Sequence, residues 1–270
     1  MFSPINSQRN ENMLPPETID CILSFLQRDQ ATLKACSAAH PLLSSLAERH
    51  LLTHIIFYIG FYSKYRPCCP TDGFPIPRLS RCLSEKPYLA QHIRSITFDG
   101  SAFSFPEPPQ VFKELSTVLP LISHPEKVTL RHTGWSEFPE EFRSTLLNFL
   151  RNPRLKEICL KNAHNFPLTV LADFRNIKNL ILGSTLCSYI FRAGRPTFTS
   201  IESLSLVDIT SDTYAAWAGS KLNSLISLRV QVRFYPFPKL SPIFNSCSDT
   251  LKRLTLEIGS LCTSLPLDSA

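Results

Sequence analysis

The chain has 270 residues, of which 43% are apolar and 19% charged, with a formal net charge of +6. This is the composition of a folded chain with ample length for a sizeable core, and it excludes a protein kept disordered by low hydropathy. No stretch reaches the ~20 consecutive apolar residues of a membrane-spanning helix. The longest apolar run, LLTHIIFYIGFY at 51–62, is interrupted by Thr53, His54 and Gly60.

The opening MFSPINSQRNEN is polar, has no hydrophobic secretory region, and reads as a disordered lead over 1–12. Nine cysteines, an odd number with several inside apolar patterns, fit free thiols in a reducing compartment. The expected location is therefore cytoplasm or nucleus.

Residues 13–54 carry a helical pattern. Ile19, Ile22, Leu23 and Leu26 recur at i, i+3, i+4 and i+7, one face of a helix. Pro15 and Pro16 suit its entry, and Glu17 suits its first turn, where the helix dipole favours negative charge. Asp29 is placed to cap a second helix containing Leu33, and after Pro41 the run Leu42 to Leu52 predicts a third. Residues 55–92 read as a linker. Within it RPCCPTDGFPIPR carries Pro67, Pro70, Pro75 and Pro77, a proline density that predicts a surface loop.

From 93 to 270 one pattern recurs. IRSITF, LKEICL, IKNLIL, IESLSL, LISLRV and LKRLTL each read apolar-x-x-apolar-x-apolar, and PEKVTL is a seventh copy with proline in the first slot. The copies start at 93, 125, 155, 177, 201, 225 and 251, so they are 22 to 32 residues apart. Helix-like pieces lie between them at 107–119, 139–151 and 211–222, with Pro139 in the first turn of the second and Asp212 as a cap for the third. A strand and a helix every 20–30 residues is the leucine-rich-repeat pattern, in which no unit buries its apolar face alone and stacking makes the core. The buried asparagine of stricter repeats is replaced: Thr133 and Thr185 fall near that position, with Asn162 close by. The expected fold class is α/β: a small three-helix module followed by an irregular solenoid of parallel strands with helices on the convex side. After the last copy only LCTSLPLDSA follows, a thin cap, which points to an incomplete chain or to a partner over that end.

The N-terminal stretch LPPETIDCILSFLQRDQATLKACSAAHPLLSSLAERHLL resembles an F-box. The family motif, Leu-Pro-x-Glu followed by spaced isoleucines and a later leucine, is matched by Leu14, Pro15, Glu17, Ile19, Ile22, Leu26 and Leu33. Where the family has a Val-Cys-Arg-x-Trp-like run, this chain has Ala38-Ala39-His40-Pro41-Leu42-Leu43, with Leu43 in the tryptophan slot. The junction LSEKPYLAQHIRSITF is similar to that of fungal-type F-box proteins with divergent leucine-rich repeats. The resemblance implies a substrate receptor of a Skp-cullin-F-box ubiquitin ligase. Leu14, Pro15, Glu17, Ile19, Ile22, Leu23, Leu26 and Leu33 would dock a Skp-type adaptor and through it a cullin scaffold, and the repeats would hold a target protein. In that case the first helix carries more apolar surface than its own module needs because the adaptor completes the core.

Alternate strand residues face opposite ways. With the apolar positions facing the core, the third and fifth residues of each hexamer and the one after it face outward. Among these, Lys127, Thr129, Arg131, Glu157, Lys161, Asn179, Arg229 and Arg253 are the expected target contacts.

Chemistry is poorly supplied. No G-x-S-x-G, G-x-G-x-x-G, G-x-x-x-x-G-K-[ST] or H-E-x-x-H occurs, so no enzyme activity or cofactor is expected. Cys68, Cys69, Cys82 and His92 have no standard zinc spacing. His50 and His54, four apart on the third helix, read as a chance surface pair, and Trp135 and Trp217 as core packing. Positions 151–195 concentrate basic residues, Arg151, Arg154, Lys156, Lys161, Arg175 and Lys178 among them. That surplus reads as a solvated basic face; the other reading is a nucleic-acid patch, and steeply salt-dependent binding would favour it. Three hypotheses follow: a ligase substrate receptor, a repeat-based interaction protein without a ligase role, and an enzyme or nucleic-acid binder.

Overall fold

The computed structural model describes residues 14–27, 29–59, 76–100, 109–183, 197–208, 221–232 and 241–258. The chain divides into two compact units, Met1–His54 and Ile55–Ala270.

The first unit holds three helices, α1 (Pro16–Phe25), α2 (Gln30–Ala39) and α3 (Pro41–Thr53). Each start has a local cause. Pro16 opens α1 with its φ preset and no N–H to leave unpaired. Asp29 caps α2: its two carboxylate oxygens accept from the Thr32 N–H at 3.0 Å and hydroxyl at 2.7 Å, which holds the carboxyl below its usual range. Pro41 itself opens α3, one residue before the expected start at Leu42, and His40 Nδ1 accepts from the Leu42 N–H at 3.2 Å. Leu23, Leu33, Leu46 and Ala47 form the buried core, with Ile19, Leu26, Cys36, Leu42 and Leu51 packed around it. His50 is not a chance surface residue. Its Nε2 lies 3.0 Å from Asp20 Oδ1 and ties α3 to α1.

The second unit is an α/β structure built on one eight-stranded parallel sheet whose strand order equals the chain order. The strands are β1 (His54–Tyr58), β2 (Ser95–Asp99), β3 (Lys127–Arg131), β4 (Glu157–Lys161), β5 (Asn179–Gly183), β6 (Ser203–Val207), β7 (Ser227–Val232) and β8 (Arg253–Ile258). Sequential parallel order is compatible with a solenoid-like α/β fold. From β2 to β8 the register never slips, so the fourth hexamer position stacks as Ile96, Val128, Ile158, Leu180, Leu204, Leu228 and Leu254. The first six of these are buried at 0–1% exposure, whereas Leu254 on the edge strand is 46% exposed.

Residues 55–92 depart from the expected linker. Ile55 and Phe57 are buried in β1, and α4 (Ile76–Glu85) buries Ile76, Leu79 and Leu83. Proline density misled the reading because Pro77 sits in the first turn of α4, the one helical position that tolerates it. The proline-rich piece at 60–75 lies outside the described residues, as do 1–13, 209–220 with the expected third helix and Trp217, and 259–270 with the thin cap.

The connections vary. Helices α5 (Pro109–Val118) and α6 (Glu140–Leu150) follow β2 and β3, a 3-10 turn (Leu168–Asp173) follows β4, and a short helix (Ser241–Cys247) precedes β8. Pro139 caps α6 rather than standing inside its first turn. Beneath the first strands, Phe57, Phe98, Phe112, Phe138, Phe142, Trp135 and Phe166 form a continuous aromatic cluster with centroids 4.9–6.0 Å apart.

The chain leaves several strands through one device. His132, Asn162 and Asp208, each the residue after a strand, have φ of 53°, 51° and 51°. Each donates its N–H to the next strand, as in His132 N to Lys161 O at 2.9 Å. Gly100 holds the same place after β2, and a Cβ there would stand 2.2 Å from the His132 carbonyl oxygen. That contact is with backbone, so only glycine fits.

Candidate interaction surfaces

The first surface is on α1. At about 100° per residue, Ile19, Leu23 and Leu26 share one stripe, and Thr18, Ile22 and Phe25 share another. The first stripe turns inward, with Leu23 buried and Ile19 and Leu26 half-buried in the unit's core. The second turns outward: Ile22 is 48% and Phe25 83% exposed, and Leu14 ahead of the helix is 53% exposed. Pro15, Glu17 and Cys21 are also exposed. Of the eight residues expected to face an adaptor, Leu14, Pro15, Glu17 and Ile22 are therefore accessible. Leu23 and Leu33 are core residues, and Ile19 and Leu26 mainly support it. Phe25, the most exposed large apolar residue described, was missed because the motif positions draw attention to the inward period. Its signal was in the sequence, three residues after Ile22.

The second surface is the open face of the sheet. Its charges are largely paired across strands. Lys127 Nζ lies 2.7 Å from Glu157 Oε1, and Arg229 Nη2 2.8 Å from Glu257 Oε1. Arg131 donates through Nε at 3.0 Å, and again through Nη2, to Oδ2 of Asp99, whose side chain is only 1% exposed. The hydrogen bond to Asp99 raises the Arg131 pKa further, so the guanidinium stays charged but half-spent. Hydrogen bonding to Glu257 does the same for Arg229.

The expected target contacts divide on this face. Lys161 and Arg253 are exposed and have no ion pair among the described residues. Asn179 is half-buried between Glu157 on one neighbouring strand and Ser203 on the other. Thr129, with its neighbours Thr97 and Cys159, is buried and cannot reach a partner. Strands ~4.8 Å apart let longer side chains on either side close over short ones in the middle column. Burial pushes the Cys159 thiol up from its ordinary value.

The polar ladder expected after the strands lies elsewhere. The Thr133 hydroxyl is buried without a hydrogen bond, and Thr185 lies outside the described residues. The stitching side chains stand one residue before the hexamers. Asn176 Nδ2 donates to Asn152 O at 3.2 Å, Ser200 Oγ to Phe174 O at 2.8 Å, and Ser224 Oγ to Thr199 O at 2.6 Å.

No constellation for catalysis or metal binding emerges among the described residues, where no group of three His, Cys, Asp or Glu could hold a metal ion. Cys68 and Cys69 lie outside them. Among the same residues no helix is long and apolar enough to cross a membrane. Trp135 packs on Phe138 and Phe166. The sequence matches no family model and no curated protein.

Proposed function

We propose that the chain is the substrate-recognition subunit of a Skp-cullin-F-box type ubiquitin ligase. In this reading the helical unit is the F-box, and the parallel sheet is an irregular leucine-rich-repeat solenoid that holds the target. The observation that carries it is the two-sided apolarity of α1. A three-helix unit with a closed core of its own still presents Leu14, Ile22 and Phe25 to solvent. Full burial of an exposed side chain of this size gains about 1.5–3 kcal/mol, and Leu14 and Ile22, already half covered, gain about half of that when a partner covers the rest. The Leu14-Pro15-x-Glu17 start of the motif is exposed as well. The target side is supported by the open face, where Lys161 and Arg253 are uncommitted cations on a rigid, register-locked platform. The activity is one of docking, with no chemistry of its own.

Co-expression with a Skp-type adaptor tests the reading. The natural chain should retain adaptor through a pull-down, and Ile22→Asp should lose it while keeping its circular dichroism spectrum. Retention by neither chain would leave a repeat-based interaction protein without a ligase role, the second reading.

A further inference from the structure

A third surface lies on the edge where the chain enters the strands. The residues just before β2 to β6 stack in register as Arg94, Glu126, Lys156, Lys178 and Glu202. Arg94 pairs with Glu126 at 3.0 Å, and Lys178 pairs with Glu202. Between them Lys156 and Lys178 stand side by side, joined by Lys178 N donating to Lys156 O at 2.9 Å. Like charges directly opposite on neighbouring strands are destabilising. The rest of this row shows that alternation of sign was open to it.

The turns behind these lysines add Arg154 and Arg175, both exposed and neither ion-paired among the described residues. Asp173 is the remaining acid close by, and it makes no ion pair with them either. Desolvation, and after it the nearby charges of Arg154 and Arg94, lower the pKa of His124. The turns are held firmly. Asn152 Oδ1 accepts from Arg154 N at 2.9 Å, and Asn176 stitches the next turn to the same segment. The backbone carrying these cations is thus held in place, and of the four only Lys178 makes an ion pair among the described residues.

We propose that this strand-entry edge, at Arg154, Lys156, Arg175 and Lys178, docks a short acidic polypeptide segment of a partner protein. Glu126 and Glu202 bound it on either side, about 14 Å apart at three strand spacings. That span seats roughly three carboxylates. A nucleic acid running past it would bring phosphates against both glutamates, and no exposed aromatic side chain among the described residues of these turns offers a base a stacking partner. The edge is separate from the open face and does not depend on the ligase reading.

Fluorescence anisotropy on the full chain tests this, with labelled hexaglutamate as the probe and a short oligothymidylate as the second. Hexaglutamate should bind, weaken as salt rises from about 50 to about 200 mM, and weaken about tenfold more in R154E/R175E. Lys113→Glu, on the exposed side of α5, should change it less than about twofold. If the double variant does not fold, Arg175→Gln alone should weaken binding about threefold. Absence of hexaglutamate binding, equal loss with Lys113→Glu, or tighter oligothymidylate binding through the same arginines would overturn the proposal.

Discussion

The two units handle apolar surface in opposite ways. The helical unit closes a small core around Leu23, Leu33, Leu46 and Ala47 and still leaves Leu14, Ile22 and Phe25 outside. The sheet unit hides nearly every apolar hexamer position and puts paired charges on its open face. A helix with two apolar stripes in so small a unit is a surface awaiting cover. A sheet with buried apolar columns and cross-strand ion pairs leaves few apolar side chains open, Leu254 and Leu256 of β8 among them. The lesson is that surplus should be judged against the size of the core it adjoins: three exposed apolar side chains mean more beside four buried ones than beside several dozen.

This contrast is testable, and the largest effect belongs in the sheet. Phe98 is fully buried and rings with Phe57 and Phe142. Phe98→Ala should cost about 3–5 kcal/mol, measured as a lower denaturant midpoint of the strand signal. In the helical unit Leu33→Ala removes a fully buried residue from a far smaller core. The cost of about 2–4 kcal/mol is comparable to what a unit of that size holds. Its helical signal should therefore melt early while the sheet remains. If the two variants shift a single common transition equally, the comparison between independent cores fails.

Asp99→Ala comes next. It removes the buried carboxylate that engages Arg131. Because Arg131 is 41% exposed it can turn to water, so the loss should be about 2 kcal/mol rather than that of a wholly buried pair. A loss under about 0.5 kcal/mol in chemical denaturation would show that the pair serves no structural role. Thiol labelling then compares the two units without perturbing either. Cys21 is exposed on the outward side of α1, whereas Cys159 and Cys247 are buried with raised pKa values, so each has less thiolate at pH 8 than a free cysteine. Mass spectrometry after a short alkylation should find Cys21 modified and the other two protected until the chain unfolds.

Much of the sheet was legible because its determinants are local and periodic. Each hexamer places its apolar residues on one face by the period-two geometry of a strand, and Ile96, Ile158, Leu180 and Leu204 fall where that geometry puts them. The start of α2 was legible too, since an aspartate ahead of a helix caps it through a local hydrogen bond. What failed was whatever depends on neighbours distant in sequence. Thr129 looks outward by period, yet it is closed over by adjacent strands. His50 reads by spacing as a chance surface pair with His54, but its partner is Asp20, thirty residues earlier. The α4 helix was hidden because proline is read as a breaker unless the helix start is already known. The division of α1 into inward and outward stripes also needed the other two helices, because the sequence alone does not say which side they occupy.

The smallest expected effect on stability is the one that bears most on function. Ile22 and Phe25 are exposed, so Ile22→Asp and Phe25→Asp remove little buried area and should change the stability of the isolated chain by no more than about 0.5 kcal/mol. Helix propensity moves slightly against aspartate at both positions, which sets the sign as weakly destabilising. Leu23→Asp, one residue from Ile22 but pointing into the core, should instead unfold the helical unit, because it buries an unpaired charge. The three variants thus separate folding from docking on a single helix. If Ile22→Asp and Phe25→Asp keep the helical signal and abolish adaptor retention, the outward stripe is a docking surface. If they destabilise the chain as much as Leu23→Asp does, that stripe is part of a core, and the contrast between the two units disappears.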